Sequence, residues 1–267
     1  MLVPLLLKEG ASILIENISP IFFSLGPFEI RWYGLMLAIS FLLGAYLLIT
    51  KGKEKGFKEE DLLIIILVVI VFAIIGARAI YVLTNLGEFT DAPLEAVRID
   101  LGGLSFHGGL LGGILSGWIA ARIKNYNIDI ILDLAVPGIA IGYSLVRFAN
   151  IFNQEILGRP SIILSLERHP TQVYGIVIGL AVLFIHIYLV KRKKYIPGIL
   201  FWSFVFYYSL LRGTIEETFR ENPLYALGYI NEFWGAGFFT LTHLITPLLL
   251  LLSWWMINRK KKIWRWN

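Results

Sequence analysis

The chain of 267 residues contains no cysteine. Disulfides, thiol nucleophiles and cysteine-ligated metals are thereby excluded, and the redox character of its compartment leaves no mark on it. Charge is also scarce: Asp, Glu, Lys and Arg make up 16% of residues, against roughly a quarter in soluble domains. No internal repeat, Ser/Pro-rich linker or low-complexity tract is present. What abounds is apolar side chain, 57% of residues, with a mean hydropathy of +0.71. Several apolar runs approach or reach the roughly 20 residues that cross a bilayer core. These features predict an integral, multi-span membrane protein.

The few charges are placed with a pattern. Lys51, Lys53, Lys55 and Lys58 follow the first long apolar run, Arg122 and Lys124 the third, and Lys191 to Lys194 (KRKK) the fifth. Arg259, Lys260, Lys261, Lys262 and Arg265 close the chain. Glu88, Asp91, Glu95 and Asp100 occupy one intervening loop, and Glu216, Glu217, Glu221 and Glu232 another. By the positive-inside rule the basic sides are cytoplasmic. Each cluster is short and flanks a span, which argues against nucleic-acid binding. The net charge of +5 is therefore a matter of topology. Seven spans are expected, at 32–50, 62–84, 104–121, 130–152, 171–190, 197–212 and 236–257. They form one all-α membrane domain over residues 1–267, because lipid forces backbone polar groups to be satisfied within helices or a closed barrel. The odd count sets the N-terminus outside and the C-terminus in the cytoplasm. MLVPLLLKEGAS at the start lacks a basic leading region and is expected to be a mature amphipathic segment, not a cleaved signal. Loops 85–103, 153–170 and 213–235 then share the external side, where the polar residues converge.

The most informative stretch is Arg147 to Pro160, RFANIFNQEILGRP, which follows the oily run Ile130–Tyr143. A charged side chain at membrane depth costs roughly 2.5 to 3.5 kcal/mol on insertion scales, so these residues must pair, face water or hold a polar ligand. Arg147, Asn150 and Gln154 at i, i+3 and i+7 are expected on one helix face, where Arg and Asn can hold a phosphate. The alternatives are a structural pair of Arg147 with Glu155, or snorkelling. Gly102–Gly113 holds six glycines around His107. Close helix packing accounts for Gly109, Gly112 and Gly113. His107 is either a hydrogen-bonded structural residue or a base. His169, His186 and His243 offer no metal-ligand spacing. Arg212, Glu216 and Arg220 at i, i+4 and i+8 form either a self-paired helix end or part of the same polar chamber. Arg31, Trp32 and Tyr33 suit an aromatic belt. His169-Pro170-Thr171-Gln172 suits a helix start, and Asp129 and Asp133 suit capping or the helix dipole. Arg78, inside the second span, is left unexplained by the pattern, an acidic group nearby being one candidate partner.

Taken in order, RWYGL at Arg31, GGLSFHGGL at Gly102, RFANIFNQEILGR at Arg147, HPTQVY at His169 and LRGTIEETFR at Leu211 resemble the prolipoprotein diacylglyceryl transferases, bacterial inner-membrane enzymes. The pattern R-x-x-N-x-x-N-x-E-x-x-G-R is filled by Arg147, Asn150, Asn153, Glu155, Gly158 and Arg159. The resemblance implies a multi-pass protein of the bacterial cell (inner) membrane, with seven spans and a site towards the periplasm. It implies that the diacylglyceryl group of phosphatidylglycerol moves to the lipobox cysteine of a prolipoprotein signal peptide, releasing glycerol phosphate. It makes His107 the base, Arg147 and Arg212 catalytic, and Arg147, Tyr33, Asn150, Asn153, Glu155, Gly158, Glu216 and Arg220 the phosphatidylglycerol-binding set. No metal, cofactor or nucleic acid is expected, and a monomer is. Three departures stand out. Val146 occupies the position of a usual glycine, and LRGTIEETFR carries one extra residue, so that Glu216 and Glu217 compete for one position. THLITP replaces a Gln-containing motif, with His243 nearest to it. The rival classes are a transporter or flippase for an anionic lipid, against which the lack of duplicated halves weighs, and an intramembrane protease, for which Ser105 beside His107 is thin support.

Overall fold

The computed structural model describes residues 18–26, 28–90, 92–99, 102–164, 167–192 and 195–266. The N-terminal segment read above, the acidic loop residues Asp91 and Asp100, and the basic Lys193 and Lys194 lie outside them. The chain divides into two units, one of residues 45–134 and the other of residues up to Gly44 together with 135–267.

In the unit of residues 45–134, two helices, α2 (Glu59–Thr84) and α3 (Phe106–Ile123), form an antiparallel pair. Glycine lets their backbones touch. A Cβ on Gly108 would stand 2.2 Å from the Gly76 carbonyl oxygen, and one on Gly112 2.2 Å from that of Phe72. Gly109 and Gly113 face Ala73 at ordinary contact distance. The small-residue seam is thus Gly108 and Gly112 with Gly76 opposite. Arg78 of α2 is buried, and its guanidinium has no acidic partner among the described residues. It donates instead to four backbone carbonyls: Glu95 at 2.6 Å, Ala96 at 2.9 Å, Gly102 at 2.6 Å and Gly103 at 3.0 Å. Among the described residues it is loop backbone that meets this cation, and its carbonyls are themselves in need of donors. At the other end, Asp61 accepts from Tyr126 at 2.7 Å and pairs with Lys124 at 2.6 Å. Asp133 is buried, deeper than a capping residue at a helix end.

The other unit opens with a hairpin, β1 (Ile21–Leu25) and β2 (Phe28–Arg31), which runs directly into α1 (Trp32–Glu54). It continues with the greater part of α4 (Ile128–Asn153), then α5 (Thr171–Arg192) and α6 (Ile199–Leu211). A single π-helical turn, Arg212–Glu216, leads into the short α7 (Glu217–Phe219). A second hairpin, β3 (Leu224–Asn231) and β4 (Ala236–Thr240), precedes α8 (Leu241–Trp266). Gly44 meets Gly138 so closely that a Cβ on Gly138 would lie 2.7 Å from the Gly44 Cα. Val136, Ala140, Ala149, Ile178 and Val182 are buried core residues.

The fold is mostly helical and polytopic. Each expected span overlaps a helix, and five (α1, α2, α4, α5 and α8) are long and apolar enough to cross a membrane. Leu63, Leu67, Val71 and Ile74 of α2 lie exposed along one stripe, as do Leu241, Leu244, Leu248, Leu251 and Trp255 of α8. Apolar surface on that scale is unsuited to water and is the ordinary lipid-facing surface of a spanning helix. Two expectations are corrected. One hairpin precedes α1 and another, begun in the loop 213–235, precedes α8, so the chain is not helical throughout. The helix of the seventh expected span, α8, begins only at Leu241, because Ala236–Thr240 is taken up in pairing with β3.

Candidate active site

α4 carries the signature residues towards its C-terminal end. Tyr143, Arg147 and Asn150 follow one another at helical spacing and share a face. Arg147 and Asn150 are buried. Gly175 of α5 provides the path for the arginine: a Cβ there would sit 2.6 Å from Arg147 Cγ and Cδ. At the end of that path Arg147 Nη2 donates to Glu216 Oε1 at 2.8 Å, and Nε reaches Oε2 at 3.4 Å. The Tyr143 hydroxyl donates to Glu216 Oε2 and accepts from Arg147 Nε at 3.2 Å. The Tyr143 ring lies 4.6 Å from the guanidinium, and Tyr208 meets it edge-on at 5.0 Å. On the other side Arg147 Nη1 donates to Asn150 Oδ1 at 3.3 Å, and Asn150 Nδ2 to Glu155 Oε2 at 2.8 Å. Asn153 Nδ2 approaches Glu155 Oε1 at 3.4 Å. One chain of polar contacts therefore runs from Glu155 to Glu216 with Arg147 at its centre. Arg147 pairs with Glu216 and not with Glu155.

The helix stops at Asn153. Gln154 and Ile156 both adopt left-handed backbone, φ +53 and +59, which is uncommon away from glycine. Gln154 is consequently exposed and off the face predicted for it. The start of α5 holds this turn: Thr171 Oγ1 donates to the Ile156 carbonyl at 2.5 Å, and Gln172 Nε2 to that of Glu155 at 2.8 Å. Gly158 lies against His169, whose carbonyl oxygen would be 2.0 Å from a Cβ, so no side chain fits there. Gly158 bridges Arg220 in antiparallel fashion, the Arg159 amide donates to Phe219 at 2.7 Å, and Arg159 Nη2 to the Asn222 carbonyl at 2.8 Å. Burial holds the Arg159 guanidinium below its usual value, against the pull of Glu221 and Glu217.

The predicted Arg212–Glu216–Arg220 ladder does not form. The π turn rotates successive residues away from the spacing of an α-helix, and Arg220 is already extended. Glu216, fully buried, goes to Arg147. Arg212 instead approaches Glu217 Oε2 at 3.8 Å and Thr242 Oγ1 at 3.5 Å. Asn222 Nδ2 donates to Glu217 Oε1 at 2.6 Å. Burial raises the Glu217 carboxyl, but hydrogen bonds from Thr240 and Asn222 and the charges of Arg212 and Arg220 outweigh it and hold it below the usual range. Burial, then repulsion from Arg147, lowers the Arg220 guanidinium, with Glu216 and Glu217 opposing.

Tyr33, in the first turn of α1, lines a cavity of about 650 Å³ together with Glu29, Ile30, Arg31, Asn153 and Glu155. His107, in the unit of residues 45–134, stands exposed in the first turn of α3, with the Phe106 ring 5.7 Å away. The Ser105 side chain caps this helix, accepting from the Gly108 amide. His243 bridges Thr240 at 3.0 Å and Thr218 at 3.2 Å, which fixes α8 to α7. Val146 is half-buried on α4, and nothing in the structure explains its presence there. Among the described residues no group of three His, Asp or Glu is placed to hold a metal ion. The sequence reading missed Tyr143 and the use made of Glu217. The first was signalled by its position four residues before Arg147, the second by nothing local.

Residues 20–259 match the model of the family described as prolipoprotein diacylglyceryl transferase. The chain belongs to this family. A relative from Thermoanaerobacter sp. (strain X514), called phosphatidylglycerol–prolipoprotein diacylglyceryl transferase, is 45% identical over 247 residues, which cover 92% of this chain and 95% of the relative. Proteins of the same name from Thermus thermophilus and Deinococcus radiodurans are 36% and 30% identical, over 89% and 95% of this chain and 97% and 88% of their own lengths. Seen as a member of this family, the chain keeps the signature from Arg147 to Arg159 in one hydrogen-bonded segment. Within LRGTIEETFR, Arg212–Glu216 form the π turn, a rare single-turn feature that is frequent at functional sites.

Proposed function

We propose that this chain transfers the diacylglyceryl group of phosphatidylglycerol to the lipobox cysteine thiol of a prolipoprotein, making a thioether and releasing glycerol phosphate. The observation that carries the reading is the buried Arg147–Glu216 pair, set between Tyr143 and Asn150. A buried ion pair gives little net stability, because desolvation offsets the attraction, so its presence at membrane depth points to function. Glu216, Tyr143 and Asn150 engage all three nitrogens of Arg147. A guanidinium has five N–H donors, so donors remain for a phosphate oxygen without the pair being dismantled.

In this mechanism the substrate supplies the nucleophile, as suits a chain without cysteine. A free thiol has a pKa near about 8.5 and needs a base or a positive field to become thiolate. His107, in its GGLSFHGGL motif, is the proposed base. The thiolate attacks the glycerol carbon bonded to the phosphate oxygen. A C–S bond forms, the C–O bond breaks, and its electron pair leaves with the phosphate. Arg147 and Arg212 stabilise the charge that grows there, in the manner of other preorganised donors. Tyr33, Asn150, Asn153, Glu155, Gly158, Glu216 and Arg220 bind or position the headgroup. The proposal includes seven spans, α3 and α6 among them, in one inner-membrane domain acting as a monomer, with the N-terminus outside. It is tested by incubating purified protein with phosphatidylglycerol and a lipobox peptide. A thioether-linked product is expected; an unmodified peptide, or a cleaved one, would sink the reading. His107→Gln is expected to lower turnover sharply, and near-normal activity would assign thiol activation to the arginine field instead.

A further inference from the structure

The first hairpin has two chemically different faces. Its register pairs Phe23 with Ile30 and Leu25 with Phe28, and between them Ser24 with Glu29. Side chains alternate along a strand, so Phe23, Leu25, Phe28 and Ile30 share one face while Ser24 and Glu29 occupy the other. All four apolar residues are exposed, Phe28 at 75% and Leu25 at 68%. A lone two-stranded hairpin is marginal in water, and a flat apolar patch on it calls for a partner. The partner is indicated by continuity. Arg31 ends β2 and Trp32 begins α1 with no residue between, and α1 is long and apolar enough to cross a membrane. The hairpin is thereby fixed where that helix begins. Trp32 anchors the junction, stacked on Phe152 at 4.1 Å and edge-on to Phe22 at 4.7 Å. Glu29, Ile30 and Arg31 of β2 line the cavity that contains Tyr33 and Glu155, so Ile30 borders both that cavity and the apolar face.

We propose that the β1–β2 hairpin is an interfacial membrane element. Its Phe23–Leu25–Phe28–Ile30 face lies in the headgroup–acyl boundary, and the hairpin stands as a wall between lipid and the cavity at Tyr33. Aromatic and aliphatic residues at that depth are the usual interfacial anchors. A phospholipid whose headgroup occupies the cavity then leaves its acyl chains against this face. That corollary rests on the transferase reading; the seating in the bilayer does not.

The absence of native cysteine makes single-cysteine labelling unambiguous. Phe28→Cys and Ser24→Cys place an environment-sensitive fluorophore on opposite faces of the protein, reconstituted in vesicles of phosphatidylcholine and phosphatidylglycerol. A nitroxide on the upper acyl chain is expected to quench the label at position 28 several-fold more than that at 24, with aqueous iodide doing the reverse. Equal quenching of both by iodide overturns the proposal. So does protection of position 28 from both quenchers, which indicates a protein partner. For the corollary, the double variant Leu25→Ser/Phe28→Ser is expected to raise KM for vesicle phosphatidylglycerol at least about tenfold with kcat unchanged. An unaltered KM overturns the corollary while the quenching result stands. A wild-type protein without turnover overturns the transferase reading, again independently of the quenching.

Discussion

Glu216 and Glu217 are neighbours in sequence and both buried, yet each serves a different arginine. Glu216 holds Arg147 close and in a fixed orientation. Glu217 holds Arg212 loosely, across 3.8 Å, which leaves that guanidinium freer to turn to a ligand. Removing either cation should therefore remove an anion donor. Arg147→Ala and, separately, Arg212→Ala are expected to cut turnover by roughly a hundred- to a thousand-fold, the usual effect of losing one such donor. The proteins should still insert and express. Radiolabel transfer from phosphatidylglycerol to a lipobox peptide measures it, and near-normal turnover by either variant contradicts the assigned role. Tyr143 makes a subtler case. Tyr143→Phe keeps the ring over Arg147 but leaves Glu216 Oε2 only the long 3.4 Å contact from Arg147 Nε, and losing a hydrogen bond to a charged group costs about 1.5 to 3 kcal/mol. A fall in kcat of about tenfold with KM little changed is expected. An unaltered kcat would limit the hydroxyl to a structural role.

At the scale of elements, the α2–α3 seam leaves no room for a side chain. Gly112→Leu would drive a Cβ into the Phe72 carbonyl. It is expected to destabilise the protein by about 1 to 3 kcal/mol, as overpacking does, seen as a lower unfolding temperature in detergent. Gly102→Ala, in the open, would strain a left-handed backbone but meet no neighbour. The glycine seam was legible in the sequence, although which glycines touch was not, since that depends on the partner helix's phase. Spacing also placed Arg147 and Asn150 on one face, although Tyr143 one turn earlier was not read with them. It failed at Gln154, because the helix ends there through contacts made later in the chain, from Gln172 to Glu155 and from Thr171 to Ile156. It failed again at Arg220, because a π turn changes the count of residues per turn and no local residue announces one. Pairing of Arg147 with Glu216, 69 positions away, is a tertiary fact that no periodicity carries.

For the molecule as a whole, the alternation of basic clusters predicts an external first hairpin and a cytoplasmic C-terminus. A membrane-impermeant maleimide is expected to label Ser24→Cys in intact cells, and Lys261→Cys only after permeabilisation. Labelling of Lys261→Cys in intact cells would invert the topology. Arg78 bears on how such a molecule is made. Its charge lies in an otherwise apolar helix and is answered by carbonyls that come later in the chain, from Glu95 to Gly103. When Arg78 first leaves the ribosome those carbonyls are still confined to the exit tunnel and cannot yet meet it. An isolated α2 would carry the full cost of its arginine, whereas α2 delivered with its loop and α3 would not. The two helices are thus expected to partition into lipid together, as a hairpin, with the cation serving as a latch that closes when the loop arrives.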